Sequence, residues 1–198
     1  WQAGGSAAPH DGPYIECRDL FKIYKRADLE VVALRGLDLD VEAGELIAVI
    51  GASGSGKSTL LNILAGLDRP SAGEVMVGSR DLLDVSDSDL VMYRRLGVGF
   101  VWQDTARNLL PYLSVADNIE LPMALSGQTA KARQVWSEEL LESLGMADKR
   151  KRFPYQLSGG EQQRAAMAVG LANKPPLLLA DEPTGELDTE NADSIFEM

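Results

Sequence analysis

Continuous apolar runs and alternating segments mark several strands along the chain. Residues 46–50 (Leu-Ile-Ala-Val-Ile) and 177–180 (Leu-Leu-Leu-Ala) are short continuous apolar runs, which are typical of strands buried on both faces of a sheet. Further β signals lie at residues 14–24, 31–34, 37–41, 73–78 and 97–102. Helical patterns lie between many of these segments, so the chain is predicted to be an α/β protein.

Two helices are predicted in the first half of the chain. Apolar residues recur at helical spacing over residues 59–65 and stop at Gly66. Ser86 is followed three residues later by an acidic side chain, which is typical of a helix start, and this helix is predicted to run to Leu96.

Helical signals alone occupy residues 104–173, which we interpret as a helical insertion in an α/β domain. The signals are a helix start at Ser114, an amphipathic run over 129–144 and a helix after Gly159. We expect a flexible, Gly/Ala/Pro-rich lead-in at residues 1–13 and one domain over 14–198.

A glycine-rich loop follows the apolar run at 46–50. Its sequence, Gly-Ala-Ser-Gly-Ser-Gly-Lys-Ser, fits the phosphate-binding pattern G-x-x-x-x-G-K-[ST] without a mismatch. Glycines let the backbone N–H groups converge on a phosphate, and the following helix adds its positive end. The alternative is a Gly/Ser-rich surface turn. The predicted nucleotide-binding residues are Gly51, Ala52, Ser53, Gly54, Ser55, Gly56, Lys57, Ser58 and Thr59.

Composition limits the classes of protein to consider. The chain has 198 residues with 45% apolar and 25% charged side chains, enough for one α/β domain with a small insertion. The net charge of 19 minus 30, or −11, argues against broad nucleic-acid binding, which requires a basic face. It does not exclude one nucleotide site. A single cysteine, Cys17, excludes an internal disulfide and fits a reducing cytoplasm.

Two carboxylates follow the apolar run at 177–180. Asp181 and Glu182 would lie at the carboxyl end of a strand, where ligands bind in parallel α/β sheets. Asp181 is predicted to hold Mg²⁺ through water, opposite Ser58, and Glu182 to polarise an attacking water as the general base. The alternative is a polar turn after a core strand.

A second candidate anion site lies at residues 157–164 (Leu-Ser-Gly-Gly-Glu-Gln-Gln-Arg). Ser158 and the two glycines would present free N–H groups where a helix begins at about Glu161. Two phosphate-facing motifs suggest a sandwich, in which this turn covers a nucleotide held by another subunit. Taken alone, the turn could be an ordinary helix cap.

Together these motifs resemble those of the ATP-binding cassette ATPases in order and spacing, over the chain from about Tyr14 onward. The residues that carry the resemblance are 51–58, Gln103, 157–163, 177–185 and 187–188. The resemblance implies a P-loop NTPase core with an N-terminal antiparallel β subdomain and an inserted helical subdomain. It also implies ATP and Mg²⁺ as ligands.

The resemblance assigns a role to each motif. Gln103 resembles the glutamine that senses Mg²⁺ and the attacking water, and Tyr24 resembles the aromatic that stacks on adenine. Glu182, Gln103 and Lys57 are the implied catalytic residues, and Asp188 belongs to the loop that communicates across the dimer. The implied metal ligands are Ser58, Gln103 and Asp181, and the residues implied to act on the partner's nucleotide are Ser158, Gly159, Gly160 and Glu161.

Further residues resemble one subfamily, in which the ATPase pairs with few-helix permeases in lipoprotein release, macrolide or peptide export and cell-division signalling. The residues are Arg94-Arg95, followed by 99–103, 108–111 and 118–122. The implied partners are a second copy or a related ATPase subunit and transmembrane permease subunits, with no nucleic acid. The implied location is the cytoplasmic face of the cell membrane.

The chain departs from the family pattern after Asp188. The family places a histidine that contacts the γ-phosphate on a further strand, whereas the only histidine here, His10, lies in the lead-in. We expect a chain truncated at its C-terminal end, which binds ATP and hydrolyses it poorly. Two family strands would be absent, leaving apolar surface uncovered.

Three functions compete. The first is the energy-supplying ATPase of a membrane transporter, in which ATP closes a dimer and hydrolysis resets it. The second is a soluble cassette ATPase acting on DNA or ribosomes, which the acidic charge and the short spacing between Ser58 and Ser158 disfavour. The third is an ATP-driven mechanical switch that regulates a cell-envelope partner without transport. The sequence does not separate the first from the third.

Overall fold

The structure, a computed structural model, describes residues 12–26 and 29–181. Backbone proximity divides the chain into two compact units, residues 1–91 and 92–198.

An antiparallel sheet forms most of the first unit. Its strands are β1 (Ile15–Arg26), β2 (Leu29–Val41), β3 (Ala72–Val77) and β4 (Arg80–Asp81), in the order β2-β1-β3-β4. The two β signals at 31–34 and 37–41 therefore belong to one strand, which pairs with β1 through several register shifts. Cys17, Leu20 and Val75 are fully buried, so Cys17 serves as a small apolar core residue.

Helix α1 (Lys57–Leu64) follows the glycine-rich loop, as the sequence predicts. It buries Leu60, Ile63 and Leu64, and Gly66 follows its end with a left-handed φ of 67°. The second predicted helix is regular only over α2 (Asp87–Met92).

A π-helical turn at Tyr93–Gly97 replaces the last turn of the helix predicted to reach Leu96. The ring of Tyr93 is buried, and a Cβ on Gly97 would lie 2.7 Å from Tyr93 Cδ2. The ring of Tyr93 therefore packs against Gly97, where any larger residue would place its Cβ too close to the ring.

The strand predicted at residues 46–50 is wrong. The segment forms no strand, and Leu46 and Ile50 are 71% and 92% exposed. A strand forms its backbone hydrogen bonds with neighbouring strands. Neither sheet of the described residues includes this segment. The segment therefore has the apolar pattern of a buried strand but lacks the hydrogen bonds to a neighbouring strand that would make it part of a sheet.

A parallel pair of strands lies at the centre of the second unit. In this pair β5 (Val98–Val101) and β6 (Leu177–Ala180) run in register from Val98 opposite Leu177 to Val101 opposite Ala180. Helix α5 (Gly159–Leu171) packs closely on β5, since a Cβ on Gly99 would overlap the carbonyl oxygen of Gly170. Backbone approaches this close require glycine.

The other helices are α3 (Val115–Leu125) and α4 (Ala130–Ser143). The first begins at the predicted helix start, Ser114, and the second at Thr129, the first residue of the predicted amphipathic run. Both residues are N-caps, whose side chains accept the N–H groups of Asp117 and Ala132. Every described regular element between residues 104 and 173 is helical. The helices enclose a core of Leu109, Val115, Ile119, Met123, Leu140, Leu141, Leu144, Met146, Leu157, Ala165, Ala168 and Ala172. Within the described part of the chain, no helix combines the length and apolar character needed to cross a membrane.

Candidate functional site

The glycine-rich loop depends on backbone conformations that favour glycine. Gly54 and Gly56 have left-handed φ values of 78° and 98°. A Cβ on Gly56 would also lie 2.5 Å from the carbonyl oxygen of Ala33, so this position has no space for a side chain. Gly56 is the N-cap of α1, and no side chain caps the helix. The first-turn N–H groups of α1 can therefore donate to an anion.

Lys57 lies across the loop that precedes it. Its Nζ donates hydrogen bonds to the carbonyl oxygens of Gly51, over 2.8 Å, and Ala52, over 3.0 Å. The same carbonyl of Ala52 accepts the N–H of Ser55 over 3.1 Å. The ammonium group is thus held beside the loop, where it adds positive charge to the helix end. The hydroxyl of Ser58 is carried by the first turn of α1 and is exposed.

Tyr24 lies within reach of the same helix. Its hydroxyl donates to Asp68 Oδ2 over 2.8 Å and also interacts with the side chain of Thr59, on the first turn of α1. The ring is 40% exposed. Burial raises the pKa of Tyr24, so its hydroxyl is protonated at neutral pH and donates. The first unit therefore brings the predicted adenine platform and the predicted phosphate loop together.

The second unit brings Gln103 and Asp181 to one edge of its sheet. Val101 and Ala180 are partners at the carboxyl ends of β5 and β6. Asp181 follows directly, and its N–H donates to the carbonyl oxygen of Val101 over 2.9 Å. Gln103 follows Val101 by two residues and is exposed. Gln103 and Asp181 thus follow the carboxyl ends of two paired parallel strands, which is the edge of a sheet where ligands bind.

Several predicted residues lie outside the described part of the chain. Glu182 and Asp188 are among them, as are Pro183-Thr184-Gly185 and His10. Their assigned roles stay predictions.

The serine-glycine turn is a reciprocal helix cap. Ser158 Oγ accepts the N–H of Glu161 over 3.3 Å, and Glu161 Oε2 accepts the N–H of Ser158 over 2.9 Å. The helix begins at Gly159, two residues before the predicted start at about Glu161, because Ser158 acts as its N-cap. Because the N–H of Ser158 donates to Glu161 within the cap, the N–H groups that we predict to contact an anion are those of Gly159 and Gly160.

The carboxylate of Glu161 is held in its charged form. The hydrogen bond from the N–H of Ser158 is the largest cause that lowers the pKa of Glu161, and Lys149, whose Nζ lies 3.2 Å from Glu161 Oε1, lowers it further. The charge stabilises the N-terminal end of α5.

The comparison with known families decides the class of this protein. The family described as ABC transporter matches residues 34–185, which is more than half of the chain. The chain belongs to the ABC transporter family. It is of the ATP-binding subunit type, and the predicted fold class is confirmed by the structural relatives below.

Relatives in this ABC transporter family are similar over nearly the whole chain. An uncharacterized ABC transporter ATP-binding protein of Thermotoga maritima is 47% identical over 184 residues, which cover 93% of this chain and 78% of the relative. The lipoprotein-releasing system ATP-binding protein LolD of Saccharophagus degradans is 45% identical over 184 residues, covering 92% and 79%. The macrolide export ATP-binding/permease protein MacB of Shigella flexneri is 41% identical, and the match covers 93% of this chain and 28% of MacB.

Solved ABC cassettes have the same fold. The dimeric structure of MJ0796, a bacterial ABC transporter cassette, superposes with a TM-score of 0.85 at 38% identity, covering 92% of this chain and 80% of that one. A second dimeric MJ0796 structure, a post-hydrolysis state bound to ADP and Pi, also gives a TM-score of 0.85 at 37% identity, with the same coverage.

The oxygen donors of this ABC subunit suit Mg²⁺. Magnesium is usually bound by one or two carboxylates together with substrate phosphates. The described residues contain no cluster of three or more His, Cys, Asp or Glu side chains, as an all-protein site would need. Within the second unit, Asp181 and the amide of Gln103 are the kinds of ligand that a site shared with phosphate oxygens requires.

Asn108 and Asn118 organise the loop after Gln103, which sequence reasoning did not foresee. Asn108 accepts the N–H of Trp102 over 2.8 Å and donates to the carbonyl oxygen of Phe100 over 2.7 Å, so its amide pairs with β5. Asn118, 3% exposed, accepts the N–H of Leu110 over 2.7 Å. Its Nδ2 also donates to the carbonyl oxygens of Leu110, Leu113 and Ser114. Both asparagines belong to segments noted above only as subfamily resemblances.

Proposed function

We propose that this chain binds Mg-ATP at the loop of residues 51–58 and hydrolyses it to drive partner permease subunits. The observation that carries the proposal is the arrangement of the loop itself. Gly56 tolerates no side chain, the first turn of α1 is uncapped, and Lys57 Nζ lies 2.8 Å from the carbonyl oxygen of Gly51. Such a loop binds a polyphosphate through backbone N–H groups and one cation.

The hydrolytic step is assigned to the edge formed by β5 and β6. Ser58, Asp181 and Gln103 would hold Mg²⁺, which neutralises charge on the phosphates when bound. Glu182 would accept a proton from the attacking water, and Gln103 would orient that water. Support comes from the pairing of Val101 with Ala180, which delivers Gln103 and Asp181 to one edge, and from relatives solved in a post-hydrolysis state.

A second copy of the chain, or a related ATPase subunit, would complete each site. In this arrangement the turn at Ser158, Gly159, Gly160 and Glu161 faces the triphosphate held by the partner, and Asp188 communicates across the interface. ATP closes the dimer and hydrolysis releases it. Support comes from the dimeric state of the MJ0796 cassettes.

The partners outside the dimer would be transmembrane permease subunits, with export or extraction as the direction of transport. The relatives named as lipoprotein-releasing and macrolide-export proteins support this assignment. The subunit would then lie at the cytoplasmic face of the cell membrane, bound to the permease and to no nucleic acid.

Substitution of Glu182 tests the mechanism. The Glu182→Gln protein is expected to bind Mg-ATP and to release phosphate about 10²- to 10⁴-fold more slowly. With Mg-ATP bound, it is expected to form a dimer, which light scattering would detect. Lys57→Ala is expected to lose nucleotide binding. Glu142→Gln, an exposed position on α4, is the matched control and should behave as the unmodified protein. Unchanged turnover in Glu182→Gln would place the general base elsewhere.

A second function is favoured by the same subfamily resemblance: an ATP-driven switch that regulates a cell-envelope partner without transport. To distinguish the transport function from the switch function, the protein is co-purified with its permease and the ATPase activity of the complex is measured. Stimulation by an exported substrate supports transport. Stimulation by a cell-wall hydrolase and by no exported substrate supports the switch.

A further inference from the structure

Asp68 connects the predicted adenine platform to a cation beside it. Its Oδ2 accepts the hydroxyl of Tyr24 over 2.8 Å, and its Oδ1 accepts Lys22 Nζ over 2.6 Å. Lys22 Nζ also donates to the carbonyl oxygen of Arg69 over 2.7 Å. The two oxygens of one carboxylate thus hold two different side chains of β1.

This ion pair is more protected than an ordinary surface pair. The side chains of Lys22 and Asp68 are 12% and 29% exposed. Exposed pairs contribute little because solvent screens them, whereas charge-assisted hydrogen bonds in protected sites are stronger and fix geometry. Burial alone raises the pKa of Asp68, but hydrogen bonds from Lys22 and Tyr24 outweigh it, so the net pKa is lowered and the carboxylate stays charged.

Lys22 also restricts the ring of Tyr24. Its Nζ lies over the ring, 4.8 Å from the centroid, in a cation–π contact. One face of the ring is thereby covered. We therefore expect a base to stack on the opposite face of the Tyr24 ring.

The same aspartate is tied to the helix of the phosphate loop. The N–H groups of Leu67 and Asp68 both donate to the carbonyl oxygen of Asn62 on α1, over 2.8 and 3.2 Å. The side chain of Thr59 interacts with the hydroxyl of Tyr24. Hydrogen bonds therefore connect α1, which directly follows the glycine-rich loop, to Asp68 and connect Asp68 to the hydroxyl of Tyr24.

We propose that Asp68 and Lys22 are positioning residues for nucleobase binding, which hold the ring of Tyr24 in a fixed place beside α1, the helix that follows the glycine-rich loop. The inference rests on the proposed nucleotide function and deepens it. A ligand that contacts the ring of Tyr24 and the glycine-rich loop at once binds more tightly when both are already in place, because fewer side chains have to be ordered on binding. A ligand without a base gains nothing from this arrangement.

Two ligands test the inference: Mg-ATP and Mg-tripolyphosphate, each titrated calorimetrically into the full chain. Asp68→Asn keeps the shape of the side chain and removes its charge. It is expected to weaken Mg-ATP binding by about tenfold, the size of one charge-assisted hydrogen bond, and to leave tripolyphosphate binding unchanged. Equal weakening of both ligands, or of neither, would overturn the inference.

Three further variants sharpen the test. Asp87→Asn is the matched control, because Asp87 pairs with Arg69 over 3.1 Å in the same unit but has a 96% exposed side chain, and no change is expected. Tyr24→Phe keeps the ring and removes the anchoring hydroxyl, so the same ATP-selective loss is expected. Lys22→Met should likewise weaken ATP binding selectively; a loss shared with tripolyphosphate would count against its positioning role.

A double variant tests whether Asp68 acts through Tyr24. Asp68→Asn added to Tyr24→Phe should cause no further ATP-selective loss, whereas additive losses would show that Asp68 acts by another route. If the unmodified protein binds neither ligand, the proposed function fails. If it binds both and Asp68→Asn affects them equally, only the positioning role fails.

Discussion

The hydroxyl of Thr105 donates a hydrogen bond to Gln162 Oε1 over 3.0 Å. Thr105 follows Gln103 by two residues, and Gln162 lies in the first turn of α5. Gln162 Nε2 donates in turn to the carbonyl oxygen of Leu157, over 3.3 Å, directly before Ser158. One amide therefore joins the loop that carries Gln103 to the turn that begins α5.

Removing this bond is expected to slow turnover more than it weakens ATP binding. Thr105→Val leaves the amide of Gln162 without its donor, and a hydrogen bond of this kind contributes about 0.5–1.5 kcal/mol. We expect the kcat for ATP hydrolysis to fall by about three- to tenfold, with nucleotide affinity nearly unchanged. Thr105→Ser restores the hydroxyl and should restore the rate; a slow Thr105→Ser variant would contradict the explanation.

A methyl group at Gly56 should prevent nucleotide binding. Gly56→Ala introduces both a left-handed alanine, costing about 1–2 kcal/mol, and a contact of 2.5 Å with the carbonyl oxygen of Ala33. The matched control is Gly54→Ala, which has a similar left-handed φ but nothing within 4 Å of the added Cβ. Thermal unfolding and ATP titration should show a distinctly larger loss for Gly56→Ala. Equal losses would mean that the contact with Ala33 has no effect.

The buried amide of Asn118 is expected to be important for stability. Asn118→Ala removes the buried amide that accepts the N–H of Leu110 and shares its two N–H donors among the carbonyl oxygens of Leu110, Leu113 and Ser114. These backbone groups would then be less well paired. We expect the free energy of unfolding to fall by about 2–4 kcal/mol, measured by urea denaturation. Gln134→Ala, at an exposed position on α4, should change it by less than about 0.5 kcal/mol.

Acid should weaken the cap at the start of α5. Because the pKa of Glu161 is lowered in the folded protein, its contribution to stability is complete above the ordinary glutamate pKa of about 4.3. The contribution is then lost as the pH falls through the lower, folded value. Glu161→Gln can still accept the N–H of Ser158 and has no charge to lose. The difference in unfolding free energy between the two proteins should therefore shrink from pH 6 to pH 3; a constant difference would contradict the assignment.

Local patterns were sufficient for the short-range elements. The caps at Ser114, Thr129 and Ser158 and the helix after the glycine-rich loop follow from residues within one turn of each other, so the sequence contains their whole cause. The β signal at 97–102 and the apolar run at 177–180 predict strands that end directly before Gln103 and Asp181. Their arrival at one edge required only that β5 and β6 be parallel neighbours.

Other parts of the site depend on residues far apart in the chain. Nothing near Tyr24 in the sequence indicates that Asp68, 44 positions later, would accept its hydroxyl. The link from Thr105 to Gln162 spans 57 positions. Such pairs arise when separate elements pack together, and no periodicity in a single segment encodes them.

By itself, the sequence determined the glycine-rich loop before α1, the order of the motifs along the chain and the helix caps, because these depend on backbone conformation and hydrogen bonds over a few residues. Only the tertiary structure decided whether an apolar segment becomes a strand and which side chains support Tyr24. Residues 46–50 have the apolar pattern of a buried strand, but they are exposed and pair with no neighbouring strand of the described residues. Strand formation requires hydrogen bonds from a neighbouring chain segment, which a local pattern does not supply.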